Sequence, residues 1–394
     1  MVRLAKPHPL LDKQLRKAGL PWSSVFSTEE WASAWAQQTA PEELKNDLEF
    51  LAAWLVNGQQ AGMHFLTKNK QARRDARLIF PQVSSILSVI IPYATGRSTR
   101  GTDSTNTPAE SAPNPIGTSL YSKTARYARV PDYHKVIRKE LDLALRRWQA
   151  DALDLGLLQQ EQPWRVVTDS LPFLDRAHAR IARLGFIGKN TMLIRPGVGS
   201  YFFIAHVLLS TPFSLAADPG EDKPVGANAI AELSCGDCRK CIDACPTQAL
   251  IAPHRLDANK CLSYLTIEHR DIVEEKYLKN FSDNFYGCDI CQDACPYNYK
   301  TAGLTTLQSF QAPLKSLLQV TVEDVAQMTQ QQYESWFGGT AMTRAKYSGL
   351  VRNAIYSLYA DRSPVLTNIL EKRKEDPDPL IRATIHQISS LNKD

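Results

Sequence analysis

The run Cys235-Gly-Asp-Cys238-Arg-Lys-Cys241-Ile-Asp-Ala-Cys245-Pro246 constrains this chain more than any other stretch of its 394 residues. Its spacing, C-x2-C-x2-C-x3-C-P, is the one that bacterial ferredoxins wrap around a cubane [4Fe–4S] cluster. Three thiolates two residues apart cover one face of the cube, amides of the tight loop donate to its sulfurs, and the proline turns the chain away. A second run, Cys288-Asp-Ile-Cys291-Gln-Asp-Ala-Cys295-Pro296, is one cysteine short, and Cys261 between the runs supplies the missing ligand. In this pattern the cysteine before each proline serves the other cluster. One cluster then takes Cys235, Cys238, Cys241 and Cys295, and the other takes Cys245, Cys261, Cys288 and Cys291. All eight cysteines of the chain are used. Zinc is the competing reading, but three consecutive short spacings crowd a tetrahedral ion.

No apolar run approaches the ~20 residues that span a bilayer. The first twenty residues interrupt their apolar positions with charge, unlike a signal peptide. The expectation is a cytoplasmic protein away from membranes, where thiols stay reduced and are available to metal. The net charge of +5 is mild for this length. Two local basic clusters stand out: Lys68, Lys70, Arg73, Arg74 and Arg77, then Lys123, Arg126, Arg129, Lys135, Arg138 and Lys139. Each fits a solvated helix face as well as an acidic partner.

Along the chain, residues 1–80 read as helical, with apolar positions of Glu43–Leu55 at helical spacing. Ser84–Ala94 reads as a buried strand, Thr95–Ser119 as a long loop, Asp132–Leu157 as a helix and Arg165–Ser170 as a second strand. Phe173–Leu184 reads as a helix ending at Gly185, and the stretch from Met192 to Ser210 as strand, glycine turn, strand. The fold class expected is an α/β (α+β) domain over 1–220, a two-cluster ferredoxin-like module over 221–300, and a helical domain over 301–394. The last two helices share a pattern like a short HEAT repeat. Neither a Rossmann glycine fingerprint nor a P-loop is present, since Gly197-Val-Gly199 lacks the third glycine and the helix start. His178, His206 and His254 have no ligand spacing between them and read as structural. Asp132-Tyr133-His134 opens like the D-x-H-x-x-G that supplies a lower cobalt ligand in some cobalamin proteins, but position 137 is Ile.

Two clusters need only about sixty residues, yet some 220 precede them, so the relay feeds a redox site in the N-terminal domain. In order, ARYARVPDYHKVI, TDSLPFLDRAHARIARLGFIGKNTMLI, GSYFFIAHVLLS, CGDCRKCIDACPTQAL, KCLSYLTIEH and YGCDICQDACPYN resemble the epoxyqueuosine reductases, cobalamin-dependent relatives of the reductive dehalogenases. The resemblance spans roughly residues 45–390. It implies reduction of an epoxide to an alkene on the wobble nucleoside of tRNA, a base-off cobalamin, and a HEAT-like C-terminal domain that grips tRNA. By that likeness Asp175, just before Arg176, is the proton donor, with Asp169 the second choice. An acid in that role must be partly buried to stay protonated near neutral pH.

Arg129, Asp169, Lys189, Ser200, Tyr201, Asp237 and Ser263 are the expected cofactor contacts. The block from Phe337 to Lys346 with Arg352 and Asn353 is the expected tRNA surface. Residues 301–394 hold ten Lys and Arg against nine Asp and Glu, so tRNA would be held by placed residues rather than a general field. Tyr286, Tyr297 and Tyr299 are candidate stacking partners for a splayed base. A monomer supplied by an external electron donor is expected. A dehalogenase-like reductase and a ferredoxin-type electron carrier are the alternatives, and the chain shows no twin-arginine signal of the kind dehalogenases carry.

Overall fold

A computed structural model describes residues 2–93, 119–218, 234–299 and 305–391. Of the loop expected over Thr95–Ser119, residues 95–118 lie outside the described residues, as do residues 219–233 of the insertion expected over Leu215–Leu233. The N-terminal half holds seven strands: β1 (Leu4–Ala5), β2 (Trp22–Ser27), β3 (Ser85–Pro92), β4 (Trp164–Val167), the short hairpin β5 (Phe186–Ile187) and β6 (Leu193–Ile194), and β7 (Phe202–Leu209). Five of them form one sheet in the order β1-β2-β3-β7-β4, every neighbouring pair antiparallel. Of the two classes expected, the antiparallel sheet makes this α+β.

The central strands are buried on both faces, so they read as continuous apolar runs rather than alternating ones. Leu87, Val89 and Ile91 of β3 with Phe203, Ala205 and Val207 of β7 enter one core. Ile86 and Ile90 with Phe202 and Leu208 enter the other. The helices α1 (Pro9–Lys17), α2 (Glu42–Val56), α3 (Tyr133–Asp154) and α4 (Asp175–Ile181) cover these faces. Asp132 caps α3, its carboxylate accepting the His134 amide at 3.1 Å. Ile137, Leu141, Leu145, Trp148 and Ala152 then lie at helical spacing on the buried stripe, packed with α1 over the sheet. Each such side chain contributes about 1.5–3 kcal/mol of burial. On the opposite face α4 presents Ala177 and Ala179 to Phe26, Trp31 and Trp35.

The helical expectation for residues 1–80 misses β1 and β2. Trp22–Ser27 mixes serine and larger residues without strict alternation over only six positions, and its pairing with β3, from Trp22 opposite Ile90 to Ser27 opposite Ser85, makes it a strand. A short segment takes its identity from the partner strand rather than from its own pattern.

The cysteine runs and the C-terminal helices share a third core. It joins Leu262, Leu265 and Ile267 of α5 (Leu262–Ile267) to Leu350, Ala354 and Leu358 of α6 (Lys346–Ala360), and to Ile381 and Ile385 of α7 (Pro379–Leu391). Arg352 and Asn353 sit inside it, fully buried. Arg352 donates to the carbonyls of Leu265 (2.6 Å), Asp271 (2.7 Å) and His269 (2.8 Å), and Asn353 donates to those of Thr266 (2.7 Å) and Phe285 (3.0 Å). Burial lowers the Arg352 guanidinium to about 10. The expected tRNA role for this pair gives way to a structural one, since α6 uses them to satisfy backbone groups of the cluster module.

Candidate active site

The two short helical turns of the cysteine runs, Lys240–Asp243 and Ile290–Asp293, pack against each other. The thiols lie close enough to raise one another. Burial raises Cys241 and Cys295 above the ordinary thiol value, and the charges that add to it come from Cys235 and Cys295 on Cys241, and from Cys235 and Cys238 on Cys295. Burial likewise raises Cys288, with Cys261 and Cys245 adding to it, and raises Cys261, with Cys245 adding. Cys291 is raised by burial, then by Cys288 and Cys261.

Backbone amides point at the sulfurs: Lys189 at Cys235 (3.4 Å), Ala249 at Cys245 (3.3 Å), and Tyr264 and Ser263 at Cys261. Such amides favour thiolate, the form that binds iron. The donor set therefore fits two cubanes of four thiolates each. Among the described residues, no three His, Cys, Asp or Glu side chains converge on a single ion.

The N-terminal domain clamps the second run. Arg126 pairs with Asp293 at 2.7 Å while its amide donates to Asp289 at 2.8 Å, and its guanidinium lies 4.2 Å over the Tyr201 ring. The Tyr201 hydroxyl also donates to Asp293, at 2.6 Å. Ser200 donates to Gln292 at 2.9 Å and its amide donates to Asn298 at 2.8 Å.

Four expected cofactor contacts are thus already engaged by protein. Ser200 and Tyr201 join the two domains. Lys189 donates from Nζ to the Gly236 carbonyl at 2.5 Å, and Arg129 donates to the Thr124 carbonyl at 2.8 Å while covering Tyr121. Asp237 is exposed and Ser263 half-buried beside the thiols, neither side chain having a hydrogen-bond partner among the described residues.

The two aspartates of the TDSLPFLD stretch occupy different surroundings. Asp169 follows β4 on a loop, with its backbone in the left-handed region (φ 40°) and its side chain 51% exposed. That conformation is rare outside glycine and marks a constrained position. Both of its carboxylate oxygens are held from the start of α3. The Tyr133 hydroxyl donates to Oδ2, and His134 Nε2 meets Oδ1 at 2.6 Å. His134 Nδ1 in turn meets Asp132 at 2.9 Å. Asp175 opens α4 with its side chain 18% exposed. Its Oδ1 accepts the Asp169 amide at 3.5 Å and lies 4.0 Å from His206 Nε2. Burial first, and then the charge of Asp169, pushes the Asp175 carboxyl up to about 7.

Beneath them, His206 on β7 is fully buried, with Nδ1 2.8 Å from the Ser88 hydroxyl on β3 and Nε2 3.1 Å from the Asp175 carbonyl. Ser88 and His206 are direct partners in the β3–β7 register. Burial holds His206 and His178 below the ordinary imidazole value, the latter at about 4, so both are neutral and structural, as expected. His254 bonds the Gly188 carbonyl at 3.0 Å, also a structural use.

Arg344 belongs to the segment before α6. It pairs with Glu268 at 2.6 Å, lies 5.2 Å over the half-exposed ring of Phe65, and feels the charge of Asp169. Tyr286, a candidate stacking partner, is instead core: it is fully buried and its hydroxyl donates to the Ala341 carbonyl. Tyr297 packs on Phe186, and Tyr299 is half-exposed.

A family profile described as a 4Fe-4S double cluster binding domain matches residues 234–298, and one described as epoxyqueuosine reductase QueG, DUF1730 matches residues 73–170. The epoxyqueuosine reductase of Xanthomonas campestris pv. campestris is 35% identical, over 86% of this chain and 87% of its own length. That of Pseudomonas aeruginosa is 32% identical over 86% of each. The chain belongs to the epoxyqueuosine reductase family. It is therefore an oxidoreductase with a [4Fe–4S] double-cluster domain.

Solved epoxyqueuosine reductases share the fold. One, crystallised with an epoxyqueuosine-modified stem loop of tyrosine tRNA, has a TM-score of 0.74 at 22% identity, over 98% of this chain and 89% of that one. The Bacillus subtilis enzyme, described with an aspartate-bearing catalytic loop swung out of the active site, has a TM-score of 0.68 at 24% identity, over 96% and 88%. Among the described residues no helix is long and apolar enough to cross a membrane. What sequence reasoning missed at the site was Tyr133 as a partner of Asp169, and Phe65 under Arg344. The DYH run was visible, but nothing in it pointed toward Asp169.

Proposed function

We propose that this chain reduces the epoxide of epoxyqueuosine to the alkene of queuosine at the wobble position of tRNA. It would draw electrons through its two clusters and use cobalamin, with Asp169 as the acid. The carrying observation is Asp169 itself: a half-exposed carboxylate in a constrained backbone, on a loop, with both oxygens gripped by Tyr133 and His134. Asp175, favoured by the sequence likeness, is the first residue of a helix and faces inward, so it is poorly placed to touch a nucleoside. The Bacillus subtilis description, an aspartate on a loop that swings, suits Asp169 better than a helical residue.

Removing an epoxide oxygen takes two electrons and two protons. The clusters supply electrons singly and the carboxyl supplies a proton, but neither is a nucleophile toward carbon. That missing chemistry is what the donor set leaves for cobalamin, which when bound supplies a low-valent cobalt able to open the ring. Asp237 and Ser263, with side chains still unpaired beside the thiols, are its remaining candidate contacts. Asp169 protonates the departing oxygen, and Tyr133 and His134 fix which of its lone pairs faces the substrate. For tRNA, the Arg344–Phe65 pair offers a cation and a half-exposed flat ring, suited to a phosphate and an unstacked base. The helices after residue 305 read as a HEAT-like tRNA grip, and the chain works in the cytoplasm as a monomer with a separate electron donor.

The test is reconstitution. The anaerobic chain with iron, sulfide and cobalamin should hold a stoichiometric corrinoid through gel filtration and convert an epoxyqueuosine stem loop when given a chemical reductant. Retained clusters without bound corrinoid would remove cobalamin from the account. Bound corrinoid without conversion would remove the substrate.

A further inference from the structure

Two protons are consumed per turnover, yet Asp169 holds one at most, so the site needs a way to refill it. We propose that His134, backed by Asp132, is that way: it passes its Nε2 proton to Asp169 and takes a new one from water. This rests on the reading of Asp169 as the acid and adds a residue that acts through it.

The geometry is a short chain of three groups. Asp132 Oδ1 lies 2.9 Å from His134 Nδ1, and His134 Nε2 lies 2.6 Å from Asp169 Oδ1. Once Asp169 is a carboxylate, an imidazole that donates both to it and to Asp132 must carry hydrogen on both nitrogens, so the state that refills the acid is the imidazolium. Asp132 is fixed because the same carboxylate caps α3, accepting the His134 amide at 3.1 Å. The ring is held flat by the Tyr133 ring, with centroids 4.0 Å apart at 25°. Tyr133 is itself stacked on Phe203 of the sheet, at 4.2 Å and 10°. The outer edge stays wet, the His134 side chain being 38% exposed.

The groups that face this chain are Tyr133 and Asp132 at the start of α3, Asp169 on the loop after β4, and, across Asp169, Asp175 on α4 and Arg344 of the C-terminal segment. The hydrogen bond to Asp169 leads in raising the His134 imidazole above its ordinary value, burial opposing it and the Asp132 contact adding to it. An imidazolium therefore persists where an exposed histidine would be neutral.

The proton account closes. The carboxyl of Asp169 gives its proton to the departing oxygen and becomes carboxylate. The Nε2–H bond of His134 breaks as an O–H bond forms on Asp169, leaving a neutral imidazole that keeps its Nδ1 proton on Asp132. A proton taken up from bulk solvent refills Nε2, and the second proton follows the same path, so that the two protons drawn from solvent leave with the epoxide oxygen as water. No electron moves in these steps.

His134→Gln keeps a hydrogen bond to Asp169 but carries no transferable proton. We expect it to retain clusters and tRNA affinity, with KM within about twofold, while kcat falls by about tenfold or more. The fall should deepen with pH, and added imidazole should restore part of the rate in His134→Gly. Independently of turnover, nitrogen-15 histidine spectra of the full cluster-loaded chain, with His134 assigned by its loss in His134→Gln, should show it protonated above pH 6.5 and shifted down in Asp169→Asn. Undiminished kcat in His134→Gln, or an imidazole that titrates normally and ignores Asp169→Asn, overturns the relay. If Asp169→Asn abolishes turnover while His134→Gln does not, the relay falls and the acid stands. Full turnover in Asp169→Asn removes the acid itself.

Discussion

Asp169 and Asp175 lie six residues apart around one loop, carry the same carboxyl, and end in opposite situations. Asp169 is half-exposed, strained in its backbone and bonded by a tyrosine and a histidine from another element. Asp175 begins a helix, is mostly enclosed, and is raised to about 7 by burial and by its neighbour's charge. A raised carboxyl alone suggests a general acid, yet here the raised one is mostly enclosed while the other is half-exposed. Access and orientation decide between them before acidity does.

The contrast breaks most visibly by neutralising the outer group. Asp169→Asn should lower turnover by about 10²- to 10⁴-fold while the cluster absorbance stays intact, measured in single-turnover assays on a modified stem loop. Asp175→Asn should cost far less activity, and its larger effect should be on stability. A carboxyl raised from 3.8 to about 7 in the folded state keeps its proton where the unfolded chain has lost it. The folded chain binds the extra proton between about pH 4 and pH 7, so its stability falls as pH rises through that window. Asparagine removes that loss, and urea unfolding should find the variant more stable by up to a few kcal/mol at pH 8, with the gain shrinking toward pH 5. A variant no more stable at pH 8 would mean that Asp175 is better solvated than its burial implies.

Ser88→Ala sharpens the inner half of the comparison. It strips the fully buried His206 of its Nδ1 partner, which should cost about 1–3 kcal/mol in a urea midpoint and leave the turnover of the folded fraction near the parent's. The smallest effect expected is Tyr133→Phe, which removes one of the two bonds to Asp169. A loss of about 1 kcal/mol, within roughly tenfold in kcat, should appear in steady-state rates without a change in tRNA affinity.

The double-cluster module was legible because it depends on cysteine spacing alone, and a family profile for such a domain matches residues 234–298. α3 was legible because its periodicity runs over many residues, and β3 because it is a continuous apolar run ended by proline. β2 was not, since six residues of mixed serine and apolar character become a strand only by pairing with β3. At the site, sequence found both aspartates but ranked them by likeness. The positive φ of Asp169 and the inward turn of Asp175 arise from how the loop closes over His206 and the β3–β7 register, which no local pattern encodes. Ser200, Tyr201 and Arg352 were singled out for chemistry and serve as joints between domains instead. A polar residue in a distinctive block looks the same whether it meets a ligand or another domain.

The central claim is most directly tested by nucleoside analysis of tRNA from a strain lacking this chain, complemented with the parent sequence or with Asp169→Asn. The account predicts that epoxyqueuosine accumulates in the deletion strain, that the parent restores queuosine, and that Asp169→Asn leaves the epoxide in place. Queuosine persisting without the chain, or restored fully by Asp169→Asn, would contradict it.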